Sequence, residues 1–183
     1  MPLPRKKFQV VVDDAKIAAG VEAGHPGDVI EPVWFLSDIY HGPLVYEHTL
    51  RQFSRPQRLV RAMSLYLYEV NNGGHRQFFS NSSGIVWRDA RDCFEAIGVP
   101  RGAQILSIAA ERMGGEPSLE RDERMEQLEA HNPDFKDLDE ALYELDQRAN
   151  LNKEMMLYIS SLRADFYFSG TIEKVVLPGM ADK

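Results

Sequence analysis

The stretch Ser54-Arg55-Pro56-Gln57-Arg58-Leu59-Val60-Arg61-Ala62-Met63-Ser64-Leu65-Tyr66-Leu67-Tyr68-Glu69-Val70-Asn71-Asn72-Gly73-Gly74 decides the fold. Ser54 suits a helix N-cap, because its hydroxyl can accept from an early backbone N–H. Pro56 fits the first turn, where its missing N–H costs nothing. Leu59, Met63, Leu67 and Val70 fall at i, i+4, i+8 and i+11 and share one apolar face. The spacing predicts a helix, ended by Asn71-Asn72-Gly73-Gly74, where residues tolerant of positive φ close it.

Working outward toward the C-terminus, 76–79 reads as a short turn of helix and 81–84 as a second break. Residues 86–97 follow as a helix, with Val86, Ala90, Cys93, Phe94 and Ile97 on one side and Gly98-Val99-Pro100 at its end. The next helix, 103–112, stops at Gly114-Gly115. Ser118 is the expected cap of the one after, with Glu120 placed to suit the helix dipole. Asn132 is the expected cap of another, with Pro133 at its first position and Phe135, Leu138, Leu142 and Leu145 as its buried stripe. Asn150 caps the last, with Leu151, Met155, Tyr158 (or Ile159) and Leu162 inward. The tail, 165–178, mixes aromatic and β-branched residues and reads as an extended segment against the helices.

Toward the N-terminus, 33–40 and 44–53 read as short helices joined by the turn residues His41-Gly42-Pro43. Residues 21–32 carry Gly24, Pro26, Gly27 and Pro32 and read as a loop. Residues 8–12 are a β-branched run, a strand or an extended arm. The expectation is an all-α, single globular domain of eight or nine helices. Residues 1–32 form its N-terminal arm and loop, and 33–178 form one helical core ending in the extended segment.

A chain of 183 residues is one domain long enough to build a core without staples. Its single cysteine, Cys93, excludes an intrachain disulfide framework and fits a reducing compartment. No stretch approaches the roughly 20 apolar residues of a membrane span. The basic start runs into Asp13-Asp14 and does not make a secretory signal, so the expected location is the cytoplasm.

The charge is concentrated. Residues 116–146 hold 12 acids, Glu116, Glu120, Asp122, Glu123, Glu126, Glu129, Asp134, Asp137, Asp139, Glu140, Glu144 and Asp146. Only Arg121, Arg124 and Lys136 oppose them there, and the rest of the chain is near balance with 16 acids and 18 bases. The net charge of −7 therefore comes from one segment and argues against direct binding of nucleic acid. Glu116, Glu120 and Glu123 make one row, Asp122, Glu126 and Glu129 a second, and Asp137, Glu140 and Glu144 a third. Carboxylates three or four apart sit about 5–6 Å apart at Cβ, similar to successive phosphates of a nucleic-acid strand, and each such pair weakens a helix slightly. Three readings stand. The run is a solvated face, or a surface for a basic partner, or it is neutralised at home by the stripe Arg51, Arg55, Arg58 and Arg61, in the same chain or in a second copy.

The most unusual local string is Glu69-Val70-Asn71-Asn72-Gly73-Gly74-His75-Arg76-Gln77-Phe78-Phe79-Ser80-Asn81-Ser82-Ser83-Gly84. Its amides suit backbone groups freed at breaks, and Phe78 and Phe79 suit core anchors. The chemical alternative is a polar pocket with His75 as acid–base and Glu69 as its orienting partner, flanked by Asn72, Gln77 and Asn81. No second histidine stands at ligand spacing, so no metal is expected, and no nucleophile elbow, phosphate loop or dinucleotide fingerprint is present. Cys93 reads as an inert core thiol, and Tyr66, Tyr68, Phe78, Phe79 and Trp87 read as core.

The string from Tyr68 to His75, with Gln77-Phe78-Phe79 and Asn81-Ser82-Ser83-Gly84, resembles the signature of a family of small bacterial DNA-mimic proteins. The resemblance continues through Ala96-Ile97-Gly98, the acidic helix 135–146 and Phe166-Tyr167-Phe168. It implies an all-helical, dimeric cytoplasmic protein without enzymatic activity or cofactor, presenting carboxylates as a duplex presents phosphates. Its expected partner is a basic DNA-binding protein, a transcription factor such as a repressor or a nucleoid-type protein. The motif residues Glu69, Asn71, Asn72, Gly73, Gly74, His75, Gln77, Phe78, Asn81 and Gly84 are expected to serve the scaffold, and the acidic run is the expected partner surface. An antitoxin or immunity-type protein, with a basic toxin as partner, fits the same acidic surface. A small-ligand binder or enzyme would use the polar motif instead.

Overall fold

A computed structural model describes residues 5–175 of the chain; the first residues of the basic start and the last of the expected C-terminal segment lie outside them. In chain order the elements are β1 (Arg5–Val12), α1 (Asp14–Ala23), α2 (Pro26–Val29), α3 (Glu31–Leu36), α4 (Pro43–Leu50) and α5 (Arg55–Ser80). After a 3-10 turn (Ser82–Val86) come α6 (Trp87–Ala96), α7 (Pro100–Arg112), α8 (Arg121–His131), α9 (Lys136–Ala149) and α10 (Leu151–Ser161). A second 3-10 turn (Arg163–Phe166) leads to β2 (Phe168–Val175). The described residues form the expected all-α single domain, with short extended pieces at its edges.

α5 is the central strut. Ser54 Oγ accepts from Gln57 N–H at 3.2 Å while Gln57 Oε1 accepts from Ser54 N–H at 2.9 Å, so two orphan donors satisfy each other's residues. Leu59, Met63, Leu67 and Val70 all enter the core. The break falls where the glycines stand. Gly73 and Gly74 leave helical geometry, Gly74 at φ 74° and ψ −178°, and the second arm carries Phe78 and Phe79 to full burial. Tyr66 meets Phe78 and Phe94 edge-on, with ring centroids 5.0 and 5.8 Å apart. Tyr68, expected in the core, is 63% exposed, because it lies one step past the inward face that Leu67 occupies.

Ten α-helices are present among the described residues, more than expected, because 21–32 is not a loop. Asp13 caps α1 by accepting from Lys16 N–H at 3.0 Å, and Gly24 ends it in the left-handed conformation at φ 69°. Pro26 and Pro32 stand in the first turns of α2 and α3, where proline opens a helix as readily as it ends one elsewhere. Ile17, Val29, Ile30 and Val33 belong to the core, and α1 packs on α10.

Two expected caps are also corrected. Glu120, not Ser118, precedes α8, and the Ser118 hydroxyl accepts from Glu120 N–H and donates to Glu123. Asn132 ends α8 at φ 39° instead of starting the next helix, and Phe135 precedes α9 without a side-chain cap. Asparagine tolerates both roles, and the local sequence does not choose between them. Asn150 caps α10 as expected, accepting from Lys153 N–H at 3.2 Å. The β-branched run and the C-terminal segment pair with each other, antiparallel, with Phe8 opposite Ile172 and Arg5 opposite Val175. β2 lies against α3 and buries Ile172.

Candidate functional site

The acidic helices α8 and α9 both pack against α5, α8 also against the first 3-10 turn and α9 against α7. Each turns a narrow face inward. α8 buries Arg124 and Leu128, and α9 buries Leu138 and Leu142 behind Phe135. The remaining surface is carboxylate. Glu116, Glu120, Asp122, Glu123, Glu126, Glu129, Asp134, Asp137, Glu140 and Glu144 are exposed, whereas Asp139 and Asp146 are half-buried.

The exposed acids differ in their partners. Arg112 holds Asp137 through both guanidinium ends, at 2.6 and 2.7 Å. That bond brings the Asp137 carboxyl down to about 2. Glu116 pairs with Arg88, Glu144 with Arg148 at 3.1 Å, and Glu123 accepts from Ser118. Glu120, Asp122, Glu126, Glu129, Asp134 and Glu140 make no ion pair among the described residues. The arginine stripe does not neutralise the run within the chain. Arg55 pairs with Asp89 and Asp92 at 2.5 and 2.6 Å, and Arg58 with Glu47 at 3.0 Å. Arg61 lies buried over the Trp34 ring, and Arg51 is exposed.

Charged residues of the run also build the scaffold. Asp139 reaches the α5 break and accepts from His75 twice, from the backbone N–H at 2.8 Å and from ring Nδ1 at 2.5 Å. With Nδ1 donating to that carboxylate, Nε2 is left to accept the Tyr66 hydroxyl proton at 2.7 Å. Burial pushes the Tyr66 phenol up, which suits a donor. Tyr143 Oη donates to the freed Val70 carbonyl at 2.9 Å, and Asp146 accepts from Leu151 N–H at 3.0 Å. Arg124 is fully buried, and its guanidinium donates to the carbonyls of Phe79, Asn81, Ser118 and Leu119, closing the end of α5.

The glycines of the motif make room for these two side chains. A Cβ on Gly74 would stand 2.4 Å from Asp139 Oδ2, and one on Gly84 2.4 Å from Arg124 Nε. Glu69 does not orient His75. Its carboxylate accepts from Gln77, Asn81 and Ser83 at 2.7 to 2.9 Å. His75 is 0% exposed, so its ring is sealed from solvent, and Asn71 and Asn72 point outward. Gly73, Gln77, Phe78 and Asn81 complete the turn around the break. The inward role of Asp139 had a signal in the sequence, since it follows Phe135 at i+4 beside Leu138. Arg124 had only the weaker hint of lying one turn before Leu128.

Cys93 is buried, and burial pushes its thiol up. Among the described residues no group of three or more His, Cys, Asp or Glu is placed to hold a metal ion. No helix among them is long and apolar enough to cross a membrane.

No curated protein and no solved structure matches the chain. A family model described as DMP19-like protein matches residues 51–162, more than half of the chain. The match spans α5 to α10, with the glycine break and all twelve acids of the run. By this match the chain belongs to the DMP19-like protein family.

Proposed function

We propose that this protein is a non-enzymatic DNA mimic whose acidic helices occupy the DNA-binding surface of a basic DNA-binding protein, such as a transcriptional repressor. The carrying observation is the exposure of ten of the twelve acids in 116–146, with Arg55 and Arg58 of the stripe paired to acids outside the run. Membership of the DMP19-like family, a family of DNA mimics, supports the same reading.

The charge density suits the role. Asp122 and Glu129, with Glu126 between them, stand seven steps apart on α8, as do Asp137 and Glu144, with Glu140 between them, on α9. At 1.5 Å per residue each row places three carboxylates along about 10 Å of helix axis. Their mean spacing of about 5 Å is wider than the roughly 3.4 Å of axis per phosphate of one DNA strand, so each row is a sparser line of negative charge of the same order. Binding rests on charge and is weakened by salt, which screens beyond about 8 Å at physiological ionic strength. Direct binding of nucleic acid is disfavoured by the same field. The protein works as a cytoplasmic homodimer in this reading, as the sequence resemblance implies.

The test is capture from a lysate of the native host at low and high salt, read by mass spectrometry. The control is a variant with Glu120, Asp122, Glu126, Glu129 and Glu140 changed to Gln or Asn, residues that make no ion pair among the described residues. Enrichment of a DNA-binding protein, lost at high salt and in the variant, is expected. Recovery of the same proteins by both forms overturns the reading. A captured basic protein that does not bind DNA would move the function to the antitoxin or immunity class.

A further inference from the structure

Arg61 stands apart from the rest of its stripe. Its side chain is 3% exposed, and its guanidinium lies 3.5 Å from the centroid of the Trp34 ring. Nε and Nη1 are buried without a hydrogen-bond partner, and no carboxylate pairs with the group among the described residues. Burial lowers the guanidinium to about 10, so it remains cationic at neutral pH. The largest influence opposing this shift is the Tyr46 phenol, which its own burial keeps protonated at neutral pH. Stacking on Trp34 offsets part of the desolvation of the cation but supplies no acceptor in the guanidinium plane. A buried cation with unmade hydrogen bonds is costly, and buried charges are as a rule paired.

The same side chain lines a cleft of about 490 Å³. Trp34, Ile39, Leu65 and the exposed rings of Tyr40 and Tyr68 give it apolar, largely aromatic walls. Volumes of 300–1,000 Å³ with such walls and a few placed polar groups are typical of small-molecule sites. Glu69 lies eight residues along α5 from Arg61, about 12 Å of helix axis. Its carboxylate is already held by Gln77, Asn81 and Ser83 and does not neutralise the arginine.

We propose that this cleft is a binding site for a small organic anion, a monocarboxylate carried on a flat apolar body, with Arg61 as its counter-charge. One buried cation matches one negative charge. Glu69, on the same lining, disfavours a second. The second arginine of the lining, Arg121, is exposed and already donates through Nε to the Ser80 carbonyl. Flat bodies suit walls built from indole and phenol rings. The counter-charge and the aromatic walls come from α3, the segment after it and the middle of α5, and of the acidic run only Arg121 borders the cleft, so the proposal does not rest on the partner-mimicry reading.

The experiment is thermal unfolding of the full chain with increasing benzoate or indole-3-carboxylate, each against its neutral carboxamide and against inorganic phosphate. A ligand that binds only the folded protein raises the melting temperature in step with the logarithm of its concentration once that exceeds Kd. The expected result is such a concentration-dependent rise with at least one carboxylate and little with its carboxamide or with phosphate. Arg61→Met, which removes an unpaired buried charge, should fold at least as well and weaken carboxylate binding at least tenfold. Tyr68→Ala, at an exposed position, should weaken it several-fold. Chemical-shift changes at Trp34 in the unmodified chain provide a readout that does not depend on any variant. No rise with either carboxylate, an equal response to the carboxamide or to phosphate, or an undiminished response in Arg61→Met would overturn the proposal.

Discussion

Asp139 accepts two hydrogen bonds from His75, one from its backbone N–H and one from its ring. One acid of a twelve-acid run therefore splices the break in the central helix. Asp139→Ala leaves two donors without a partner beneath α9, and each such loss costs about 1–3 kcal/mol. We expect a loss of about 2–5 kcal/mol in urea unfolding. Glu140→Ala, at the exposed neighbour, should stay within about 0.5 kcal/mol. Equal effects at the two positions would show that the contact contributes nothing.

Gly74 combines a backbone region that only glycine adopts readily with a Cβ position already taken by Asp139. Gly24 shares a positive φ but has open space around it. Gly24→Ala should cost about 1 kcal/mol, the conformational part alone. Gly74→Ala should cost clearly more, about 2–4 kcal/mol, since it strains the turn and displaces the carboxylate. Similar melting temperatures for the two variants would refute this account of the motif.

Arg124 is a structural base inside an acidic segment. Its removal deprives the carbonyls of Phe79, Asn81, Ser118 and Leu119 of their shared donor. Arg124→Met should lower stability by at least about 3 kcal/mol. Arg121→Met, one turn earlier and exposed, should cost far less, and the comparison is read from denaturation midpoints.

Asp137 gives a pH signature. Its folded carboxyl titrates at about 2 because of Arg112, below the ordinary 3.8. A depressed acid contributes stability above its unfolded value. The contribution is therefore complete above about pH 4 and disappears as pH falls through 2. Carboxyl-carbon NMR should show Asp137 titrating at the acid end of the range, with the midpoint returning toward 3.8 in Arg112→Ala. The pair is exposed, so added salt should reduce the shift.

These sites mark where sequence reading succeeds. α5 was legible because its cap, its apolar period and its glycine break are all local signals. The early helices were hidden because Pro26 and Pro32 look the same whether they open a helix or sit in a loop. Asn132 is ambiguous because an asparagine suits either helix end. Asp139, Arg124 and Arg61 share their charge with exposed neighbours, and charge alone does not tell them apart. Only tertiary packing separates an arginine beneath four carbonyls from one in water. The partnership of the two β-branched ends is equally invisible, since no local pattern names a partner more than 150 residues away.

Cys93 should be silent toward a thiol reagent in the folded protein and react fully in denaturant, because it is buried and its thiolate is disfavoured. Rapid labelling under native conditions would mean that α6 opens.

The β1–β2 ladder sets a timetable. Its partners stand at opposite ends of the described chain, so β1 leaves the ribosome long before the strand that completes it. Helices α5 to α9 can condense as they emerge, through contacts closer in sequence, whereas α1 waits for α10. The ladder closes only after β2 is made, across a loop that contains the whole helical body. Until then β1 is an unpaired edge of β-branched residues, and Arg5, Lys6 and Lys7 along it place charge where another chain would otherwise add a strand.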